Sequence, residues 1–187
     1  RPLPVTAKIR IGWDDESVNA PEVARLLEAC GIAALAVHGR TRQQGYSGKA
    51  RWDVIAEVAS AVRIPVVGNG DIASADDALR RRRETGVRGL MLGRAAMGHP
   101  WIFREIKHAF ATGRDDFPHP ALEERWALML RHAARAVEER GAERPAMHAM
   151  RARLMAYSRG LPEGRWLREQ FSAVESLDGL RAIRDRH

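Results

Sequence analysis

The hydrophobic period changes along this chain and divides it in two. Up to about Phe110, short apolar runs alternate with stretches of helical spacing. Val5 to Ile11 alternates apolar and polar residues as a β-strand does. Pro21 to Cys30 has helical spacing through Val23, Leu26, Leu27 and Cys30, with Gly31 as its stop. Residues 35–39 form a second strand, and a polar, glycine-bearing loop runs from Arg40 to Ala50. Trp52, Ile55, Val58, Ala59 and Val62 mark the next helix, and Ile64 to Gly70 a third strand that breaks into a turn. Ser74 is a plausible N-cap for a helix that reaches Thr85 and ends at Gly86. Residues 89–93 are the fourth strand, and Pro100 opens a helix through Phe110.

Strand–helix units of this kind imply parallel strands joined by right-handed crossovers. Four of them make half of a (β/α)8 TIM barrel, because a complete barrel takes about 250 residues. A flavodoxin-like open sheet is the alternative that periodicity leaves standing. After a Pro/Asp linker at 115–120 the pattern is helical throughout, over roughly 121–140, 145–158, 163–174 and 176–186. The expected organisation is therefore a half-barrel over 1–114 and a small helical domain over 115–187.

Composition narrows the class. With 45% hydrophobic and 29% charged residues the chain reads as globular, and no apolar run approaches the length of a membrane span. Cys30 is the single cysteine, which excludes an internal disulfide and suits a reducing cytoplasm. It is expected on the core-facing side of its helix, as an inert small hydrophobe. The chain opens on Arg1 with a strand pattern close behind, as a trimmed domain or a piece of a longer protein would. The net charge of +7 arises from 31 basic against 24 acidic residues, and its distribution says more than its size.

Barrel chemistry sits where strands run out at their C-terminal ends. Here each ending is polar: Lys8 and Arg10, then His38-Gly39-Arg40-Thr41, then Asn69-Gly70-Asp71, then Gly93-Arg94. Gly70 and Gly93 allow a ligand close to the backbone, and Arg94 with a following helix start suits a phosphate. Lys8 needs an electron-rich acceptor or a carboxylate partner if it is buried, and His38 can donate a proton to an acceptor. The run Arg80 to Arg83 reads as a solvated helix face. Arg144, His148 and Arg151 form one helical stripe. With Arg153 nearby, and with Tyr157 and Trp166, they make a basic surface suited to an RNA backbone.

At these residues the sequence resembles the tRNA-dihydrouridine synthase family, bacterial type B most closely. The segments are PVTAKIRIGWDD (4–15), AVHGRTRQQGYSGKARWDVI (36–55), IPVVGNGDI (64–72) and LMLGRAAMGHPWIFREI (90–106). A weaker match is MRARLMAYSRGLP (150–162). The resemblance implies an FMN barrel that reduces a uridine C5=C6 bond in tRNA. It implies NADPH as reductant and a cysteine that protonates C5. It places Lys8 and His38 at the flavin ring, Asn69, Gly70 and Asp71 along the cofactor, and Gly93 and Arg94 at its phosphate. Arg40 falls on the uridine side, and Arg144, His148, Arg151 and Arg153 on the tRNA. The asparagine-glycine-cysteine-proline segment that carries the family's proton donor has no counterpart, so no catalytic residue is expected in this chain and the chain alone is expected to be inactive. An open half-barrel is expected to self-associate through its strand edges. Two other readings are a dihydroorotate-dehydrogenase-like FMN enzyme and an RNA-binding piece without turnover.

Overall fold

The protein is described by a computed structural model covering residues 3–187. The elements in order are β1 (Thr6–Arg10), α1 (Ala20–Ala29), β2 (Ala34–His38), α2 (Trp52–Ala61), β3 (Val66–Asn69), α3 (Ala75–Thr85) and β4 (Gly89–Met91). There follow α4 (Arg94–Gly98), α5 (Ile102–Thr112), α6 (Leu122–Arg140), α7 (Glu143–Tyr157), α8 (Gly164–Ala173) and α9 (Leu177–Arg186). The chain divides into two compact units. One comprises Arg1–Ala95 with Ile102–Phe117, the other Ala96–Trp101 with Pro118–His187.

In the first unit the strands pair in parallel in the order β1-β2-β3-β4. That unbroken order is the barrel pattern; a flavodoxin-like sheet would change direction at a switch point. The fold is thus part of a (β/α)8 barrel followed by helices. Among the described residues β1 and β4 each have a neighbour on one side only.

The pleat separates two chemistries. Leu35 and Val37 are fully buried and Val66 nearly so; burying such side chains contributes roughly 1.5–3 kcal/mol each. Because Cβ positions alternate, Lys8, Arg10, His38 and Asn69 fall on the opposite face. The register sets Arg10 beside His38 and His38 beside Asn69, with Lys8 one row back beside Ala36.

Local signals fix the helix ends. The Ser74 hydroxyl accepts the Asp77 N–H at 3.0 Å, and Gly86 closes α3 at φ 68°. One expectation fails in α1, whose buried residues are Ala20 and Ala24 while Leu26 and Cys30 are exposed. Leu26 and Cys30 stand one turn apart, so a single rotation of the helix about its axis carries both off the core side. Cys30 is therefore not the buried hydrophobe expected.

The second unit closes around Trp126, Met147, Leu154, Tyr157, Leu167 and Phe171, drawn from α6, α7 and α8, with Leu180 and Ile183 of α9 completing the core. Arg125 of α6 donates to the Tyr157 and Arg159 carbonyls, both at 2.7 Å, and so caps the end of α7. Among the described residues no helix is long and apolar enough to cross a membrane.

Candidate functional site

The polar strand endings gather at one end of the sheet, and their geometry differs in detail from residue to residue. Lys8 is exposed on the polar face rather than buried against a carboxylate. His38 is 8% exposed. Burial first, and then the charges of Arg10, Lys8 and Arg40, push its imidazole down to about 4, against a smaller upward pull from Asp71. His38 is therefore neutral at pH 7, with one N–H to give and one ring nitrogen to accept. Its stabilising contribution as a neutral ring is complete above the ordinary histidine range near 6.5 and declines as pH falls toward 4.

Asn69 donates its side-chain amide to the Met91 carbonyl at 2.7 Å, tying β3 to β4. After it the backbone turns through Gly70 at φ 133° and Asp71 at φ 50°. A Cβ on Gly70 would lie 2.5 Å from Ala50 Cβ and 3.4 Å from the His38 ring, so only glycine fits. The Gly70 carbonyl accepts the buried Trp52 indole N–H at 3.0 Å.

Asp71 is the hub of the turn. Its carboxylate accepts Arg40 at 2.9 and 2.8 Å, the Ala50 N–H at 2.8 Å and Arg94 at 3.3 Å. Burial pulls its pKa upward, but the Ala50 N–H, Arg40 and Arg94 together outweigh that and hold the carboxyl below its usual range. Arg40 is the main departure from expectation. It is 2% exposed, and besides Asp71 it serves the Ser47 carbonyl at 2.9 Å and the Gly48 carbonyl at 2.7 Å. Its guanidinium is spent inside the protein, because a buried arginine must find acceptors. It holds the loop that follows β2 and is not free on the uridine side.

Arg10 secures the same loop from β1, donating to Thr41 O at 2.6 Å and Gly45 O at 3.2 Å. Arg94 is mostly exposed and lies 4.8 Å from the Tyr46 ring centre. Gly93 is exposed, and an added Cβ there would meet nothing within 4 Å. Arg10 was expected among the polar strand endings, but nothing local marks Tyr46 as a site neighbour, since its place depends on how the loop folds back. Trp13 is likewise 62% exposed, in a loop whose Gly12 and Trp13 carbonyls accept Arg42 N and Gln43 N. The arginine run of α3 is only partly a solvated face: Arg81 lies 5.3 Å over Trp52 and Arg82 4.6 Å over Phe110.

On α7 the stripe forms but is not bare. Arg144, His148 and Arg151 all reach Glu175, at 3.0, 3.6 and 3.7 Å. Arg144 first, and then His148, hold the Glu175 carboxyl low against a small opposing effect of burial. Arg153 is exposed, about half a turn away from Arg144 at 100° per residue. The four residues therefore do not present one continuous cationic face.

A sequence model of the dihydrouridine synthase (Dus) family matches residues 1–185. The chain belongs to that family. A tRNA-dihydrouridine synthase B of Pseudomonas putida is 44% identical over 183 residues, covering 92% of this chain and 51% of the relative. The protein of the same description from Xanthomonas axonopodis pv. citri is 54% identical over 120 residues, covering 64% of this chain and 36% of its own length. A probable tRNA-dihydrouridine synthase of Rickettsia bellii is 39% identical, over 98% of this chain and 55% of its own. The chain thus spans about half the length of such relatives. Among solved structures, a nitroalkane oxidase from Streptomyces ansochromogenes aligns over 53% of this chain and 36% of its own, at 24% identity and a TM-score of 0.37. That similarity is too low to bear on function.

Proposed function

We propose that this chain supplies the FMN-phosphate half of a tRNA-dihydrouridine synthase, an NADPH-driven flavin enzyme that reduces uridine to 5,6-dihydrouridine in tRNA. The observation that carries the reading is the row Arg10, His38 and Asn69 with Lys8 behind it, on the face of a parallel sheet that a closed barrel turns inward. Family membership and the names of the relatives support the same reading.

The donor set fits a flavin mononucleotide. Exposed Lys8 and the neutral N–H of His38 suit electron-rich ring atoms. Gly93 leaves open space beside Arg94, whose planar fork suits a phosphate monoester. Asn69 and the Gly70-Asp71 turn line the path between them. When bound and reduced by NADPH, the flavin would supply a hydride for the uridine C6. The protein's own part is to hold the ring against Lys8 and His38, grip the phosphate at Arg94, and keep the loop after β2 in place through Arg10 and Arg40.

The base must leave its stack to be reduced, and the second unit is assigned to the tRNA body, with exposed Arg153 and, beside it, the Glu175-bound group of Arg144, His148 and Arg151. The proton for C5 is assigned to a cysteine outside these 187 residues. Cys30 caps α1 at the end of the sheet opposite the site, so it cannot serve. The chain alone is accordingly proposed to bind without turnover. A dihydroorotate-dehydrogenase-like enzyme would share the phosphate end but gives no reason for the helical unit.

The deciding measurement compares FMN with riboflavin, which lacks the phosphate. The chain should bind FMN more tightly, and Arg94→Ala should weaken FMN about tenfold or more while leaving riboflavin alone, as loss of a charge-assisted contact implies. Equal affinities for both flavins would refute the phosphate assignment. The one-sided edges of β1 and β4, with Leu3 and Val5 exposed beside the first, support the further proposal that the chain self-associates. Light scattering should then show a mass above 20.9 kDa that rises with concentration; a constant monomer mass would reject it.

A further inference from the structure

We infer that Tyr46 is a positioning residue for the phosphate end of this site, its ring fixing the guanidinium of Arg94 where a phosphate monoester is gripped. The inference rests on the phosphate reading of Arg94. It starts from an oddity of the loop after β2. Tyr46 is 68% exposed, yet the backbone on both sides of it is tied down. Arg10 takes the Gly45 carbonyl at 3.2 Å, Arg40 takes the Ser47 carbonyl at 2.9 Å, and Ser47 N–H returns to the Gln44 carbonyl at 2.8 Å. Two arginines thus brace a loop whose tip shows a bare aromatic ring.

That ring has one partner of note. The Arg94 guanidinium lies 4.8 Å from its centre, while the edge of the same group reaches Asp71 at 3.3 Å. The face of the fork is set by Tyr46 and one edge by Asp71. With a side chain still 59% exposed, Arg94 keeps donors open to an incoming anion. A free surface arginine samples many rotamers and loses that freedom when it binds. An arginine held by a ring and a carboxylate has already lost much of it, which favours binding. The bracing of the loop gives Tyr46 the rigidity this role needs, and the cation–π contact needs the ring but not the hydroxyl.

Equilibrium binding of FMN and of riboflavin, read by flavin fluorescence, tests this with Tyr46→Phe, Tyr46→Ala and Arg94→Ala. Circular dichroism confirms folding, which an exposed ring should not affect. Tyr46→Ala should weaken FMN roughly three- to fivefold, the size of an exposed cation–π contact. Riboflavin affinity should stay unchanged, and Tyr46→Phe should bind both flavins as the parent does. If Tyr46→Ala leaves the ratio of the two affinities intact while Arg94→Ala lowers it, Tyr46 has no positioning role and the phosphate site stands. Equal losses of FMN and riboflavin would place Tyr46 at the ring or on the RNA side, and also overturn the inference. If Arg94→Ala leaves the ratio unmoved, the phosphate reading itself fails.

Discussion

Asp71→Ala should destabilise the α/β unit by about 3 kcal/mol, toward the low end for removing one partner of a buried ion pair. The cost comes from what is left behind. Arg40 has a side chain only 3% exposed, and without Asp71 its charge keeps just the Ser47 and Gly48 carbonyls. The Ala50 N–H and Arg94 lose the same acceptor. The reverse change is milder. Arg40→Met leaves an Asp71 that is 30% exposed and still accepts Ala50 N–H and Arg94, so about 1–2 kcal/mol is expected. The double variant should cost less than the sum, because the buried charge goes with its partner. The pH dependence has a definite sign. The Asp71 carboxyl is held below its ordinary value, so its contribution is complete above about pH 4–5 and is lost as pH falls through the folded value. In Asp71→Ala that acid limb should flatten. Urea unfolding of the four proteins at pH 7 and at pH 3 reads all of this. An Arg40→Met cost larger than that of Asp71→Ala would mean the burial asymmetry has been misread.

This pair also shows where sequence reading stops. The strand–helix order was legible because periods of 2 and 3.6 are local properties, and so were the Ser74 and Gly86 caps of α3. The row of His38 and Asn69 followed from placing each strand ending in register. The fate of Arg40 was not legible. Its partner lies 31 residues away, and nothing local says whether an arginine after a strand points into a ligand site or into its own loop. The acidic partner of the basic stripe was hidden for a similar reason. A stripe read from Arg144, His148 and Arg151 leaves out Glu175, which the turn before α9 brings back onto α7. Cys30 shows the limit of helical periodicity itself. Spacing identifies residues that share a side, but the side that meets the sheet was set here by Ala20 and Ala24, whose small size let the backbone approach.

Gly70→Ala should cost about 2–6 kcal/mol through two separable effects. At φ 133° the backbone occupies a region that side chains rarely adopt, worth roughly 1–3 kcal/mol. The new Cβ would also lie 2.5 Å from Ala50 Cβ, an overlap that typically costs about 1–3 kcal/mol to relieve. Ala50 cannot retreat easily, because its N–H is held by Asp71 at 2.8 Å and the Gly70 carbonyl is held by Trp52 at 3.0 Å. Adding Ala50→Gly to Gly70→Ala should therefore recover the steric part and leave the conformational part. Gly93 is the matched control. It is a glycine at a strand ending in the same site, without a positive φ and with open space around it. Gly93→Ala should change stability by less than about 0.5 kcal/mol, as exposed substitutions usually do. Equal destabilisation at the two positions would contradict the geometry of the β3 turn. If Gly93→Ala stays fully stable yet loses FMN affinity, the loss reports the approach of the ligand to the backbone rather than the folding of the chain.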